Sequence, residues 1–174
     1  MHVAFDHLLE YTEWERGLWH ETFTQHGAAA LNIPTGAHGD GRFETIGQLV
    51  RHIFSGELRY CERLLGLPTT DTSVVAAGDV EALFAFGRQS RATLQRFVDT
   101  LAPDDWDVER EFVVLAYQMR MTPRKVITHV VTHQIRHWAQ VATLLRMHGI
   151  AVGFHDFLAC PVFGGSWKKV EPTL

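Results

Sequence analysis

Hydrophobic residues return every three or four positions along four stretches of the chain, the period of amphipathic helices. Val3, Leu8, Leu9, Trp14, Leu18, Trp19 and Phe23 share one face between residues 3 and 25, which predicts a first helix. Residues 28–43, AAALNIPTGAHGDGRF, break the period with Pro34, Gly36, Gly39 and Gly41 and predict a loop. Thr45 with Gln48 three residues on is a capping-box pattern, and Ile46, Leu49, Val50, Ile53, Leu58, Tyr60, Leu64 and Leu65 continue a second helix over residues 46–66. LPTTDTSVVAAGD reads as a connector, after which Leu83, Phe86, Leu94, Phe97, Val98 and Leu101 mark a third helix, ended by Pro103. DDWD makes a turn. Residues 108–121 are ambiguous, since Phe112, Val113, Val114 and Leu115 suit a strand, while a short hairpin or a loop arm serves equally well. Thr122 as N-cap and Pro123 at the first helical position open a fourth helix, whose apolar residues Val126, Ile127, Val130, Val131, Ile135, Val141, Leu144 and Leu145 run to Gly149.

Four long amphipathic segments with no alternating strand series predict an all-α fold, a four-helix bundle over a single domain, residues 1–174. The loops between the first and second and between the third and fourth helices are long enough for crossover connections. The tail from Ile150 to Leu174, with FGGSW inside it, is expected to be irregular and packed on the bundle or on a partner subunit. Trp14, Trp19 and Trp138 are read as core or interface residues.

Composition narrows the function classes more than it changes the fold. With 46% hydrophobic and 21% charged residues the chain is an ordinary globule, and a net charge of −4 gives no reason to expect nucleic acid or an anionic membrane as partner. No run of 18 or more apolar residues occurs, and MHVAFDHLLEYTEWER lacks the basic-then-apolar order of a leader, so a soluble cytoplasmic protein is expected. Cys61 and Cys160 are too few for a disulfide framework and are read as small buried hydrophobes.

Histidine is the unusual residue. The chain has 11 in 174 positions, and HVVTHQIRH, residues 129–137, sets three of them four apart. Random placement at that density gives about 0.7 single pairs per chain but only about 0.04 triples, so the triple calls for an explanation. Residues four apart on a helix lie roughly 5–6 Å apart at Cβ, close enough for either adjacent pair to grip one ion. His129 and His137 diverge by about 80° around the helix, so all three do not converge on one ion. A third ligand should come from a facing helix. His52 is the only histidine of the second helix, and its apolar neighbours suggest a partly buried position. His52 with His133 and either His129 or His137 would leave an open coordination position, the arrangement of catalytic zinc-type sites.

The segments HIFSGE, residues 52–57, and HVVTHQIRHWAQ, residues 129–140, with VATLLRMHG and Asp156 beyond, resemble the DinB-like (YfiT-like) metal-binding helical bundle family. The resemblance implies that His52, His133 and His137 hold a divalent metal, zinc or nickel foremost, with His129 a neighbour. Thr132, Arg136 and Trp138-Ala139 depart from the family pattern without touching the triad. The resemblance further implies a homodimer and a small-molecule substrate, handled either by hydrolysis or by transfer of a low-molecular-weight thiol. The alternative is a bundle that holds a metal without turnover and acts in a stress response through dimerisation.

Around the triad, Gln140 returns to the face of His133 and is placed to hydrogen-bond a ligand imidazole or a bound water, or else to sit at the bundle rim. Glu57 lies about 140° around the helix from His52 and is read as a salt-bridge or cap residue. His7 and His155 are candidate general bases whose simpler reading is exposure to solvent. Arg51, Arg59, Arg63, Arg120, Arg124 and Lys125 are read as a solvated basic face, with attraction of an anionic substrate as the alternative.

Overall fold

The computed structural model describes residues 4–39 and 41–165. Its four helices are α1 (Phe5–Leu31), α2 (Ile46–Leu64), α3 (Val80–Thr100) and α4 (Pro123–Met147), with one two-stranded antiparallel sheet, β1 (Arg110–Val114) and β2 (Tyr117–Met121). The fold is the all-α bundle that the periodicity predicts. Val3 and the Ser166–Trp167 end of FGGSW lie outside the described residues.

Helix starts follow local chemistry. Thr45 Oγ1 accepts a hydrogen bond from the Gln48 amide N–H at 3.3 Å, while the Gln48 side chain reaches back to the amide of Glu44 at 2.9 Å. Asp79 caps α3 through Ala82, and Thr122 caps α4 through Lys125 with Pro123 following it. Gly27 departs from expectation. At φ +63° and ψ −158° it kinks α1, and the helix resumes over residues 28–31, where the sequence suggests loop. The alanines there favour helix once glycine has absorbed the bend. The ambiguous segment is a hairpin: Val114 pairs with Tyr117 across the two-residue turn Leu115–Ala116, with Leu115 at φ +55°.

The chief packing is of α2 on α3 and α4, with α1 against the same two helices; α3 and α4 make little direct contact. Consecutive helices α3 and α4 are therefore not neighbours, and their connection crosses the bundle, as the long loop suggests. One apolar cluster is built around Trp19, Phe23, Phe54, Phe84 and Trp138, with Trp19 and Trp138 stacked at 5.1 Å. A second holds Leu9, Cys61, Leu94, Phe97, Ile127 and Val130, roofed by Phe112 of the hairpin. Between these clusters along the helices lies a buried polar girdle. Arg16 of α1 and Arg91 of α3 both bond Glu57 of α2, and Gln134 of α4 joins them. Burial alone would push the Glu57 carboxyl up, but the Arg16 and Arg91 guanidinium groups outweigh it and hold the carboxyl below its usual range.

In its described part, residues 150–165, the tail is irregular except for a short turn at Phe157–Ala159, and Cys160 and Val162 pack on Tyr11 and Trp14 of α1. His155 does not face solvent. Its ring stacks on Trp19 at 4.0 Å, its side chain is 13% exposed, and Glu15 stands 3.8 Å away. Burial pushes the Glu15 carboxyl up to about 7. The Tyr11 hydroxyl donates to the His155 carbonyl at 2.8 Å and holds the segment on α1, a tertiary effect that helical period does not encode. His7 is half-buried, accepting from the Ala4 amide and lying 4.3 Å from the Phe163 ring.

Candidate metal centre

Three histidines from two helices meet at the α2–α4 crossing. His52 projects from α2, and His133 and His137, one helical turn apart, project from α4. One ring nitrogen from each lies within 4.8 Å of the others. The Nε2 atoms of His52 and His133 are 3.1 Å apart. Two nitrogens bound tetrahedrally to zinc at its usual bond length stand about 3.3 Å apart, so this pair is already at ligand spacing. Gly56 permits the approach, because a Cβ there would stand 3.3 Å from His133 Cε1.

The protonation states suit a cation. Burial, then the charges of His137, Arg42 and Arg59, bring His52 down to about 4. Burial and the surrounding His137, His52, His129 and Arg42 bring His133 down to about 3. Both rings are therefore neutral at pH 7, the form in which imidazole donates a lone pair to a metal. His137 has its tautomer set from outside. Gln140 Nε2 donates to the backbone carbonyl of His38, which turns Gln140 Oε1 toward His137 Nδ1 at 2.8 Å. An oxygen acceptor there requires a proton on Nδ1, so the lone pair of His137 lies on Nε2. By donor type and spacing, with His52 and His133 neutral, the three residues can hold a divalent ion.

His129 stands outside this group. Its ring is 5.4 Å from that of His133 and packs edge-on against Tyr60 at 5.1 Å. Glu57 is 1% exposed in the girdle and is a salt-bridge residue, as its angular offset indicates. The basic residues divide. Arg51 donates to the carbonyls of Ser73 and Val75, Arg120 pairs with Glu109 and Arg124 with Asp107, whereas Arg59 and Arg63 line a cavity over the cluster.

That cavity has a volume of about 480 Å³. Several of its walls escaped sequence reasoning: Arg42 and Phe43 from the loop before α2, Val114 and Leu115 from the hairpin tip, and Arg136 from α4. A signal for the α2 wall was present, because His52, Ser55, Gly56, Arg59, Tyr60 and Arg63 recur at helical spacing as a stripe opposite the apolar face. The loop residues carry no such period.

Fold and site together define a helical-bundle protein with a three-histidine cluster able to hold a metal at the base of an inter-helix cavity. A sequence model of the DinB family matches residues 1–162, and the chain belongs to that family. No curated protein matches the sequence. Among the described residues no helix is long and apolar enough to cross a membrane.

Proposed function

We propose that the chain is a metal-dependent enzyme in which His52, His133 and His137 hold a divalent ion, zinc or nickel, and the cavity above them admits a small-molecule substrate. The observation that carries this proposal is the convergence of three imidazoles, within 4.8 Å, on the floor of a cavity of about 480 Å³. Three nitrogen donors leave a coordination position for a reactant, and an imidazole set suits zinc or nickel better than the hard, oxygen-seeking magnesium or calcium. A divalent ion held there supplies Lewis acidity, lowering the pKa of a coordinated water or thiol toward neutrality.

Of the two chemistries, transfer of a low-molecular-weight thiol fits the lining better than hydrolysis. No carboxylate lines the cavity among its described residues, so proton transfer for water attack would fall to His129 on the cavity wall, whose ring is packed edge-on against Tyr60. Thiol transfer asks less of the protein. The cavity then orients the two reactants, Gln140 holds His137 in its donating tautomer, and Phe43, packed 4.7 Å from the His52 ring, shields that side from water.

Elemental analysis of untagged protein tests the site. About one zinc or nickel per chain is expected, lost in His133→Ala and kept in His129→Ala; a metal-free wild type, or loss in both variants alike, rejects the assignment. Turnover is tested separately with a panel of thiols against electrophiles and of esters. A fully loaded protein inert toward the whole panel rejects the enzyme and leaves a metal-binding bundle.

A further inference from the structure

The cavity above the histidine cluster is strongly cationic in a chain of net charge −4. Arg42, Arg59, Arg63 and Arg136 line it, and among its described lining residues there is no Asp or Glu. The four do not have the same work. Arg63 is occupied, its Nε donating to the Val113 carbonyl at 3.0 Å and its Nη1 to the Arg59 carbonyl at 3.2 Å. The guanidinium of Arg59 makes no hydrogen bond or ion pair to any described residue, and its Nε is buried without a partner. Asp71, on the adjoining cavity that Arg59 also lines, is turned to the Ser73 amide, 2.9 Å away. Arg136 is exposed at the rim, one residue before His137, and likewise makes no ion pair to a described residue.

A half-buried cation with an unmet N–H is costly unless something accepts from it, and a divalent ion on neutral imidazoles would add positive charge to the same space. Asp71 feels the Arg59 charge but bonds Ser73 rather than the guanidinium, so the acceptor for Arg59 is left to a ligand. Part of the lining is apolar: Leu115 at the hairpin tip is 88% exposed, beside Val114, and Tyr60 lines the same cavity. We infer that the cavity selects an organic anion, a molecule whose carboxylate seats on Arg59 and Arg136 while its apolar body lies along Tyr60, Val114 and Leu115. The inference rests on the assignment of this cavity as the reaction site, and names the class of substrate it takes.

Calorimetric titration with hexanoate and with its neutral counterpart hexanamide tests it, on the full chain as purified and after dialysis against EDTA, with metal content measured on the same samples. Hexanoate is expected to bind about tenfold or more tightly than hexanamide in both forms, a preference of the size that charge-assisted hydrogen bonds supply. Arg59→Gln should erase most of that preference and Arg136→Gln part of it, whereas Arg120→Gln, on the hairpin and paired with Glu109, should keep it. Equal binding of the two probes, no binding of hexanoate, or a preference that survives in the Arg59→Gln, Arg136→Gln double variant overturns the inference. A preference that disappears on EDTA treatment alone also overturns it, by assigning recognition to the metal. A chain that carries no metal yet discriminates through Arg59 upholds the inference and rejects the metal proposal; a loaded chain that does not discriminate does the reverse.

Discussion

At the scale of single residues, the site is prepared by hydrogen bonds that reach it from outside. The carbonyl of His38, in the loop before α2, fixes the Gln140 amide, and the amide fixes His137. Outer partners of this kind raise ligand basicity and hold ring orientation, and their loss typically costs 10- to 100-fold in metal affinity. Gln140→Leu, similar in volume but unable to accept from Nδ1, should weaken zinc binding by about that factor in competition with a chromophoric chelator. Unchanged affinity would remove Gln140 from the machinery and return it to the bundle rim.

At the scale of elements, the buried girdle ties the helices that carry the cluster. Glu57 leaves α2 on the face away from His52 and meets Arg16 of α1, Arg91 of α3 and Gln134 of α4. Its side chain is fully buried, as the Arg16 and Arg91 side chains nearly are, at 3% and 9% exposure. Buried pairs add little when intact but leave an uncompensated charge when broken. Glu57→Gln should therefore destabilise the chain by about 3–5 kcal/mol in urea unfolding, because two arginines lose one shared carboxylate. A loss below about 1 kcal/mol would show that water or a neighbour takes up their charge.

At the scale of the whole molecule, a metal on this cluster would cross-link elements 81 residues apart in sequence. An ion that binds only the folded chain stabilises it by about 2.7 kcal/mol when present at a hundred times its dissociation constant. For a chain of this length that corresponds to a rise in Tm of roughly 5–10 °C. Scanning calorimetry of EDTA-treated protein with and without added zinc should show that rise in the wild type and not in His52→Ala. The same Tm in both samples of wild type would count against a site assembled by folding.

The division between sequence and tertiary structure follows the range of the forces concerned. Period and caps act within a turn or two, so α2 and α4, their Thr45 and Thr122 caps, and the stripe of His129, His133 and His137 were legible from the residues alone. The angular offset of Glu57 from His52 was legible for the same reason. Gly27 was not, since a left-handed glycine can end a helix or merely bend one, and packing of Ala30 and Leu31 into the core decides which. Nor was the burial of His155, which follows from where the tail docks on α1. Sequence by itself determined which residues share a face of each helix. Only the tertiary structure decided which faces meet: that His52 stands 3.1 Å from His133, that both are neutral through desolvation, and that Arg42, Phe43 and the hairpin tip close a cavity over them. Contacts across that distance in sequence depend on how complementary surfaces pack, and no local period records them.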